Sequence, residues 1–137
     1  MHKFSFAALA ACLVLAWGTT PARAGDTVVE STLYIGSADD YFRYTASVDN
    51  ATGQLTVTGT LVYDGQQYAV VAGGWVGLSG VKSPPRKRYV ATGTAAAAGL
   101  GDVAVSDAYG STREAAVTSF VNNVVAGVLI RLMQPAP

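Results

Sequence analysis

The side chains available for chemistry in this 137-residue sequence are mainly carboxylates, hydroxyls and the cationic groups of Lys and Arg. His2 and Cys12 are the only residues of their kinds, and both lie in a segment that we expect to be removed as a signal peptide. The remaining chain then has no Cys or His ligands for zinc, no Cys–His nucleophile pair and no Ser–His–Asp triad. Without a disulfide, it must rely on packing for its stability.

The carboxylates do not form an arrangement that indicates a reaction. Asp39 and Asp40 are adjacent, but a calcium loop needs several oxygen ligands at alternate positions. Asp102 and Asp107 bracket a predicted strand and point roughly opposite ways, which is poor geometry for an acid–base pair. The sequence therefore predicts a protein that is not an enzyme, with no metal and no cofactor. The alternative is a weak hydrolase or lyase whose carboxylates are brought together by the fold.

Basic residues are concentrated in residues 82–88, which contain Lys82, Arg86, Lys87 and Arg88 beside a Pro-Pro pair. The prolines exclude a central strand. One interpretation is a solvated loop whose charges discourage pairing at a sheet edge. The other is an electropositive patch for an anionic envelope component or an acidic protein. No aromatic residues alternate with these charges, so a nucleic-acid partner is not expected.

Residues 73–80 place two large apolar side chains, Trp75 and Leu78, on a glycine-rich backbone. Glycines within a strand often mark a bulge or a close backbone approach. We expect a bulged strand end and a loop here. The functional alternative is a mobile lip carrying an aromatic side chain over a ligand or partner site. Together with the basic residues, Trp75 and Leu78 are the predicted contact residues.

Residues 1–24 have the organisation of a secretory signal peptide of bacterial type. A positively charged start precedes an apolar stretch, and an A-x-A site ends at Ala24. Cleavage there leaves residues 25–137, a single domain in the periplasm or outside the cell, whose seven Lys/Arg and nine Asp/Glu give a net charge of −2. A minor alternative is a lipoprotein anchored at Cys12, because residues 9–12 resemble a bacterial lipobox.

Alternating polar and apolar residues predict strands over 27–35, 41–48, 54–63, 68–76, 89–94 and 102–109. Residues 37–40 and 64–65 are expected to be turns, and residues 49–53 a five-residue hairpin loop with Gly53 at positive φ. Residues 95–101 are expected to be a loop or a strand close to the helix. In the last strand, Val103 and Val105 are expected to face inward. Short connections between consecutive strands predict an antiparallel meander.

The last predicted element is a helix that begins at a capping box formed by Ser111 and Glu114. Helical spacing gives it one broad apolar face, made of Ala116, Val117, Phe120, Val121, Val124, Val125, Val128 and Leu132. Gly127 favours a helix end near Ala126, which leaves open whether residues 126–133 are helix or strand. The run is too short and polar for a membrane span, so no transmembrane segment is expected after cleavage.

The predicted fold is α+β, with five to six antiparallel strands and a C-terminal helix packed on one face. The leading functional hypothesis is a non-catalytic binding module of a bacterial envelope or secreted system. A second hypothesis is a carrier that holds a small apolar ligand between helix and curved sheet. Its predicted pocket is lined by Phe42, Tyr44, Leu55, Val57, Trp75 and Phe120. Ligand identity and oligomeric state remain open.

Overall fold

Seven strands and one helix make up the structure, a computed structural model that describes residues 26–80 and 87–134. The predicted signal peptide, including Cys12 and the cleavage site, lies outside the described residues, as do Lys82 and Arg86. The elements follow one another as β1 (Thr27–Ile35), β2 (Ser37–Val48), β3 (Gln54–Tyr63), β4 (Gln66–Leu78), β5 (Tyr89–Ala97), β6 (Gly101–Val103), β7 (Ala108–Gly110) and α1 (Arg113–Met133).

The strands form one antiparallel sheet in the order of the sequence, from β1 to β6, and β7 also pairs with β5. Strand β6 pairs with residues 95–97 of β5, whereas β7 pairs with residues 89–91. The two short strands therefore share one edge of the sheet, with residues 104–107 between them. This arrangement confirms the predicted α+β fold, the meander order and the C-terminal helix.

Several connections confirm the sequence prediction. Strand β3 has the predicted bounds, and Asp64 and Gly65 form the turn that follows it, both at positive φ. In the hairpin loop before β3, Gly53 has a φ of 83° and donates its N–H to the carbonyl of Asp49 at 2.5 Å. The loop also holds the start of β1, because Thr27 donates its hydroxyl to Asn50 Oδ1 at 2.9 Å.

Other boundaries differ from the prediction. Residues 37–40 are not a turn: β2 already begins at Ser37, because Gly36 alone, at a φ of 76°, reverses the chain. Strand β4 runs without a bulge to Leu78, so the predicted bulge and loop over residues 73–80 are wrong for that stretch. Residues 95–97 continue β5, which is the strand alternative for that stretch, whereas the single strand predicted over 102–109 is two strands separated by residues 104–107.

Glycines in β4 and β5 permit a close approach of the two strands. A Cβ atom on Gly74 would overlap the carbonyl of Thr92 and lie 2.6 Å from the Cα of Gly93. A Cβ on Gly93 would in turn overlap the carbonyl of Gly73. These glycines therefore allow β4 and β5 to pair regularly at close range. The glycines that suggested a bulge in the sequence are explained by this close approach.

Helix α1 begins one residue later than the predicted capping box implies. Thr112 is the N-cap, and its hydroxyl accepts a hydrogen bond from the N–H of Ala115 at 3.1 Å. The helix continues to Met133, so the predicted end near Ala126 is wrong. Residue 127 is a glycine inside this helix because a Cβ there would lie only 2.5 Å from the carbonyl oxygen of Ala104.

The predicted apolar face of α1 packs against the sheet, with Leu132 half-buried and the other seven members buried. The helix approaches β1 as well as β4, β5, β6 and β7, and it approaches the central strands β2 and β3 less closely. The sheet therefore curls around it. By length and composition α1 is apolar enough to cross a membrane, a property that buried core helices share.

Candidate functional site

The sheet has an inner face toward α1 and an outer face away from it. Paired residues such as Phe42 and Leu61 point inward and are fully buried, whereas Arg43 and Thr60, the next pair, point outward and are exposed. This alternation follows from the period of two along a strand. The outer face is therefore a large surface whose side chains are available to a partner.

Four of the residues predicted to contact a partner lie at one end of this sheet, namely Trp75, Leu78, Lys87 and Arg88. Trp75 lies on the outer face of β4 and is 58% exposed, and Leu78, the last residue of β4, is 70% exposed. Across the hairpin, Ser79 donates its N–H to the carbonyl of Arg88 at 2.9 Å and its hydroxyl to the carbonyl of Lys87. The exposed residues Lys87 and Arg88 are thus held beside the exposed end of β4.

Tyr109 joins this group from β7. It pairs with Val90, which pairs with Gly77, so the three occupy one row across the outer face. The indole ring of Trp75 lies over Gly77, since a Cβ there would be 3.6 Å from the ring atom Cζ3. The Nζ of Lys87 lies 5.3 Å from the centroid of the Tyr109 ring. A cation at this distance is attracted to an aromatic ring by about 0.5–1 kcal/mol at an exposed site.

Tyr89 and Arg113 extend the positive charge around the end of the sheet. The guanidinium carbons of Arg113 and Arg88 lie 5.0 Å and 5.6 Å from the centroid of the Tyr89 ring. We refer to the group formed by Trp75, Leu78, Lys87, Arg88, Tyr89, Tyr109 and Arg113 as the aromatic–basic end. It combines exposed apolar surface with three cations, Lys87, Arg88 and Arg113.

The sequence prediction missed Tyr89, Tyr109 and Arg113. It treated residues 82–88 as a basic segment without alternating aromatics, yet the aromatics come from the neighbouring strands β5 and β7 and a further cation from α1. The pairing of β7 with β5 places Tyr109 on the same face as Val90. Alternation counted from Val103 and Val105 along a single strand would instead turn residue 109 inward, because it does not include the break at residues 104–107.

The residues of the predicted apolar pocket belong to the core. Phe42, Leu55, Val57 and Phe120 are at most 1% exposed, and Tyr44 is 6% exposed. The rings of Phe42 and Tyr44 are stacked, with centroids 5.4 Å apart. Trp75 is on the opposite face of the sheet, so its assignment to this pocket is wrong. The carrier hypothesis for the remaining five residues stays a prediction.

Two shallow grooves, of about 340 Å³ and 380 Å³, lie on the outer face. Thr58 lines both of them. Thr56, Thr94 and Asp102 line the first, and Arg43 lines the second. Their polar groups are mainly threonine hydroxyls, which can form hydrogen bonds, and the first groove adds the carboxylate of Asp102.

The four aspartates considered for catalysis lie in separate settings. Asp40 Oδ1 accepts a hydrogen bond from the N–H of Asp64 at 3.0 Å and thereby supports a hairpin turn. Asp39, Asp102 and Asp107 are exposed, and Asp102 alone of the four lines either groove. Within residues 26–80 and 87–134, no group of three or more His, Cys, Asp or Glu residues is placed to hold a metal ion.

Comparisons with models of protein families, with curated proteins and with solved structures find no match to this chain.

Proposed function

We propose that this chain is a non-catalytic binding module of a bacterial envelope or secreted system, and that it engages anionic lipid surfaces through the aromatic–basic end. The observation that carries the proposal is the exposure of Trp75 and Leu78 beside Lys87 and Arg88. Export depends on residues 1–24 and is part of the proposal.

The chemistry of the aromatic–basic end suits a lipid–water boundary. Tryptophan has a large apolar ring and one polar N–H, so it is favoured where one side is apolar and the other wet. Leu78 adds apolar area at the tip of the same strand. Each Lys or Arg near an anionic membrane surface contributes about 1 kcal/mol of attraction. Neither kind of interaction alone gives firm attachment, but the two act together.

The distribution of charge supports the same site. With residues 1–24 removed the chain has a net charge of −2, yet four of its seven Lys and Arg residues lie in residues 82–88 and Arg113 lies next to them. A chain that is acidic as a whole is repelled by an anionic surface except where its cations face that surface. The charge distribution therefore orients the molecule as well as attracting it.

Binding to vesicles tests the proposal. Protein obtained from the full coding sequence is sedimented with vesicles of neutral phosphatidylcholine or of phosphatidylcholine with phosphatidylglycerol. We expect binding to the anionic vesicles alone, weakened by salt because exposed charges are screened. K87Q and R88Q should each weaken binding about fivefold, the equivalent of roughly 1 kcal/mol.

Matched variants away from the aromatic–basic end test whether any exposed cation or apolar side chain would serve equally well. Arg43 is an exposed cation at the other end of the outer face, and Ile130 of α1 is a large apolar side chain that is 55% exposed. R43Q and I130A should bind as the unaltered protein does, whereas W75A should bind less. Equal losses from R43Q and R88Q, or equal binding to neutral and anionic vesicles, would contradict the proposal. The proposal would also be contradicted if the purified protein bound neither kind of vesicle and was recovered together with a partner protein.

The export component has its own measurement. The intact mass of the protein isolated from periplasm and medium identifies its first residue. We expect Gly25 as the first residue, with no attached lipid. A lipid-modified Cys12 would instead show that the membrane attachment is covalent, and retention of residues 1–24 would show that they are not a cleaved signal.

A further inference from the structure

The two edges of the sheet are finished in different ways. One edge is divided between β6 and β7, each three residues long. It is also attached to α1, because Asn123 donates its side-chain N–H to the carbonyl of Ser106 at 3.0 Å and Arg131 donates to the carbonyl of Leu100 at 3.3 Å. Short strands and a covering helix are common means of preventing an edge from pairing with another chain.

Strand β1 forms the other edge, which α1 also approaches, but it has few of the other protections. It has nine residues, contains no proline and has a single charge, Glu30, with a register irregularity only at its end, between Tyr34 and Ile35. Within the described part of the chain, β2 is the only strand that pairs with it. Its central residue Ser31 is exposed, as are Val28 (44%) and Tyr34 (62%). A long edge with a single charge is a template for another strand.

We propose that the occupant of this edge is a second copy of the chain, paired through β1 in antiparallel register about a two-fold axis at Ser31. In this register Val28 faces Tyr34 of the other copy on the outer side, and Val29 faces Leu33 on the inner side. Glu30 faces Thr32. Each apolar side chain thus meets another, which is the arrangement that stabilises cross-strand pairs.

Neighbouring two-fold registers fit less well. Centring the pair on Glu30 places two carboxylates directly opposite, which is destabilising. Centring it on Thr32 places Glu30 against Tyr34 and leaves Val28 facing Gly36, which has no side chain. The sequence of β1 is therefore self-complementary in one register, the property that an isologous two-fold interface requires. The resulting sheet runs continuously through both copies.

Engineered cysteines test the register directly, in a background where Cys12, the sole cysteine of the sequence, is changed to Ser. Residues directly opposite in an antiparallel pair have Cα atoms about 4.5–5.5 Å apart, a separation that a disulfide spans. S31C should therefore form disulfide-linked dimers under mild oxidation, seen on a non-reducing gel. E30C alone should not, because its partner Cys lies on the diagonal at roughly 7–8 Å.

A mixture of E30C with T32C provides the matched positive control, since those residues face each other across the proposed pair. It should form mixed dimers in a yield that neither protein reaches alone. T60C, an exposed position on the outer face of the central strand β3, should remain monomeric. Equal yields from S31C, E30C and T60C would show random collision and overturn the proposal.

Charge substitutions at Ser31 provide a second measurement that needs no cross-link. S31K and S31E each place like charges opposite at the two-fold axis, and each should weaken self-association about fivefold in sedimentation experiments over a concentration series. An equimolar mixture of S31K and S31E should restore it. A protein that stays monomeric at all concentrations, or weakening by only one of the two charges, would exclude self-pairing at this edge.

Discussion

The inner and outer faces of the sheet are made by the same strands and differ in what determines their residues. Inner positions along β2 and β3, such as Ala46 and Val57, are buried against each other and against the helix side of the fold. The outer positions next to them, Thr45 and Thr58, pair across the same two strands but remain partly accessible to solvent. Packing thus restricts the residue types on the inner face to small or apolar ones. The residues of the outer face are determined by solubility and recognition.

This contrast shows where changes in sequence can alter function without altering the fold. The proposed lipid contacts Trp75 and Tyr109 belong to the outer face, and the ends of the strands supply Leu78, Lys87 and Arg88. A substitution on the inner face acts through the free energy of unfolding. A substitution on the outer face acts through binding, with little change in stability.

The largest effect is expected at the centre of the inner side. Phe120 is fully buried between α1 and the sheet, so F120A should lower the free energy of unfolding by about 3–5 kcal/mol. I130A changes the same helix at a side chain that is 55% exposed and should cost about 0.5 kcal/mol or less. Urea unfolding of both variants measures the difference. Similar losses from the two would show that α1 is not packed with the predicted face inward.

Adjacent glycines on opposite faces of β4 offer a sharper comparison. A Cβ on Gly74 would overlap backbone atoms of β5, so G74A should cost about 1–3 kcal/mol through overpacking. A Cβ on Gly73 would meet only the carbonyl oxygen of Leu55, at 3.7 Å. G73A should therefore be neutral or slightly stabilising. Thermal unfolding of the two proteins tests the prediction, and equal melting temperatures would contradict the close approach of β4 and β5.

Gly127 tests whether contact or helix propensity determines a residue of α1. Replacing a mid-helix glycine with alanine ordinarily stabilises a helix by about 1 kcal/mol. Here the added carbon would lie 2.5 Å from the carbonyl oxygen of Ala104 and 2.6 Å from Val103 Cγ1. We expect G127A to destabilise the protein by about 1–2 kcal/mol as the helix is displaced from β6. A rise in stability, measured by urea unfolding, would mean that the contact is easily relieved.

The smallest effect is expected at the start of the helix. Thr112 caps α1, and T112A should cost about 1 kcal/mol. The exposed neighbour Ser111, which the capping-box pattern favoured, should be nearly neutral when changed to Ala. Chemical unfolding of the pair decides which residue caps the helix. If S111A were the more harmful change, the helix would begin one residue earlier than it does in this structure.

Local pattern was sufficient to predict the elements that local chemistry determines. Alternation along residues 54–63 gave the bounds of β3, and helical spacing identified the buried face of α1. The hairpin loop at residues 49–53 followed from its turn residues. In each of these cases the preference of a short segment agrees with the contacts that it makes in the fold.

The errors arose where distant parts of the chain determine a residue. Gly74 and Gly127 suggested a bulge and a helix end, yet both are glycines because the backbone of another element lies too near for a Cβ. The division between β6 and β7 likewise depends on the helix that covers that edge. The aromatic–basic end was predicted only in part, because Tyr89, Tyr109 and Arg113 are separated in sequence from Trp75.

Contact between the first strand and the last helix has a consequence for the order of folding. As the chain is synthesised, β1 to β5 appear before α1, and inner residues such as Phe42 and Leu61 have no helix to cover them. Pairing between elements so distant in sequence is slow, and an uncovered apolar sheet tends to associate with other chains. We therefore expect the sheet to remain prone to association with other chains until residues 113–133 are available to cover its inner face.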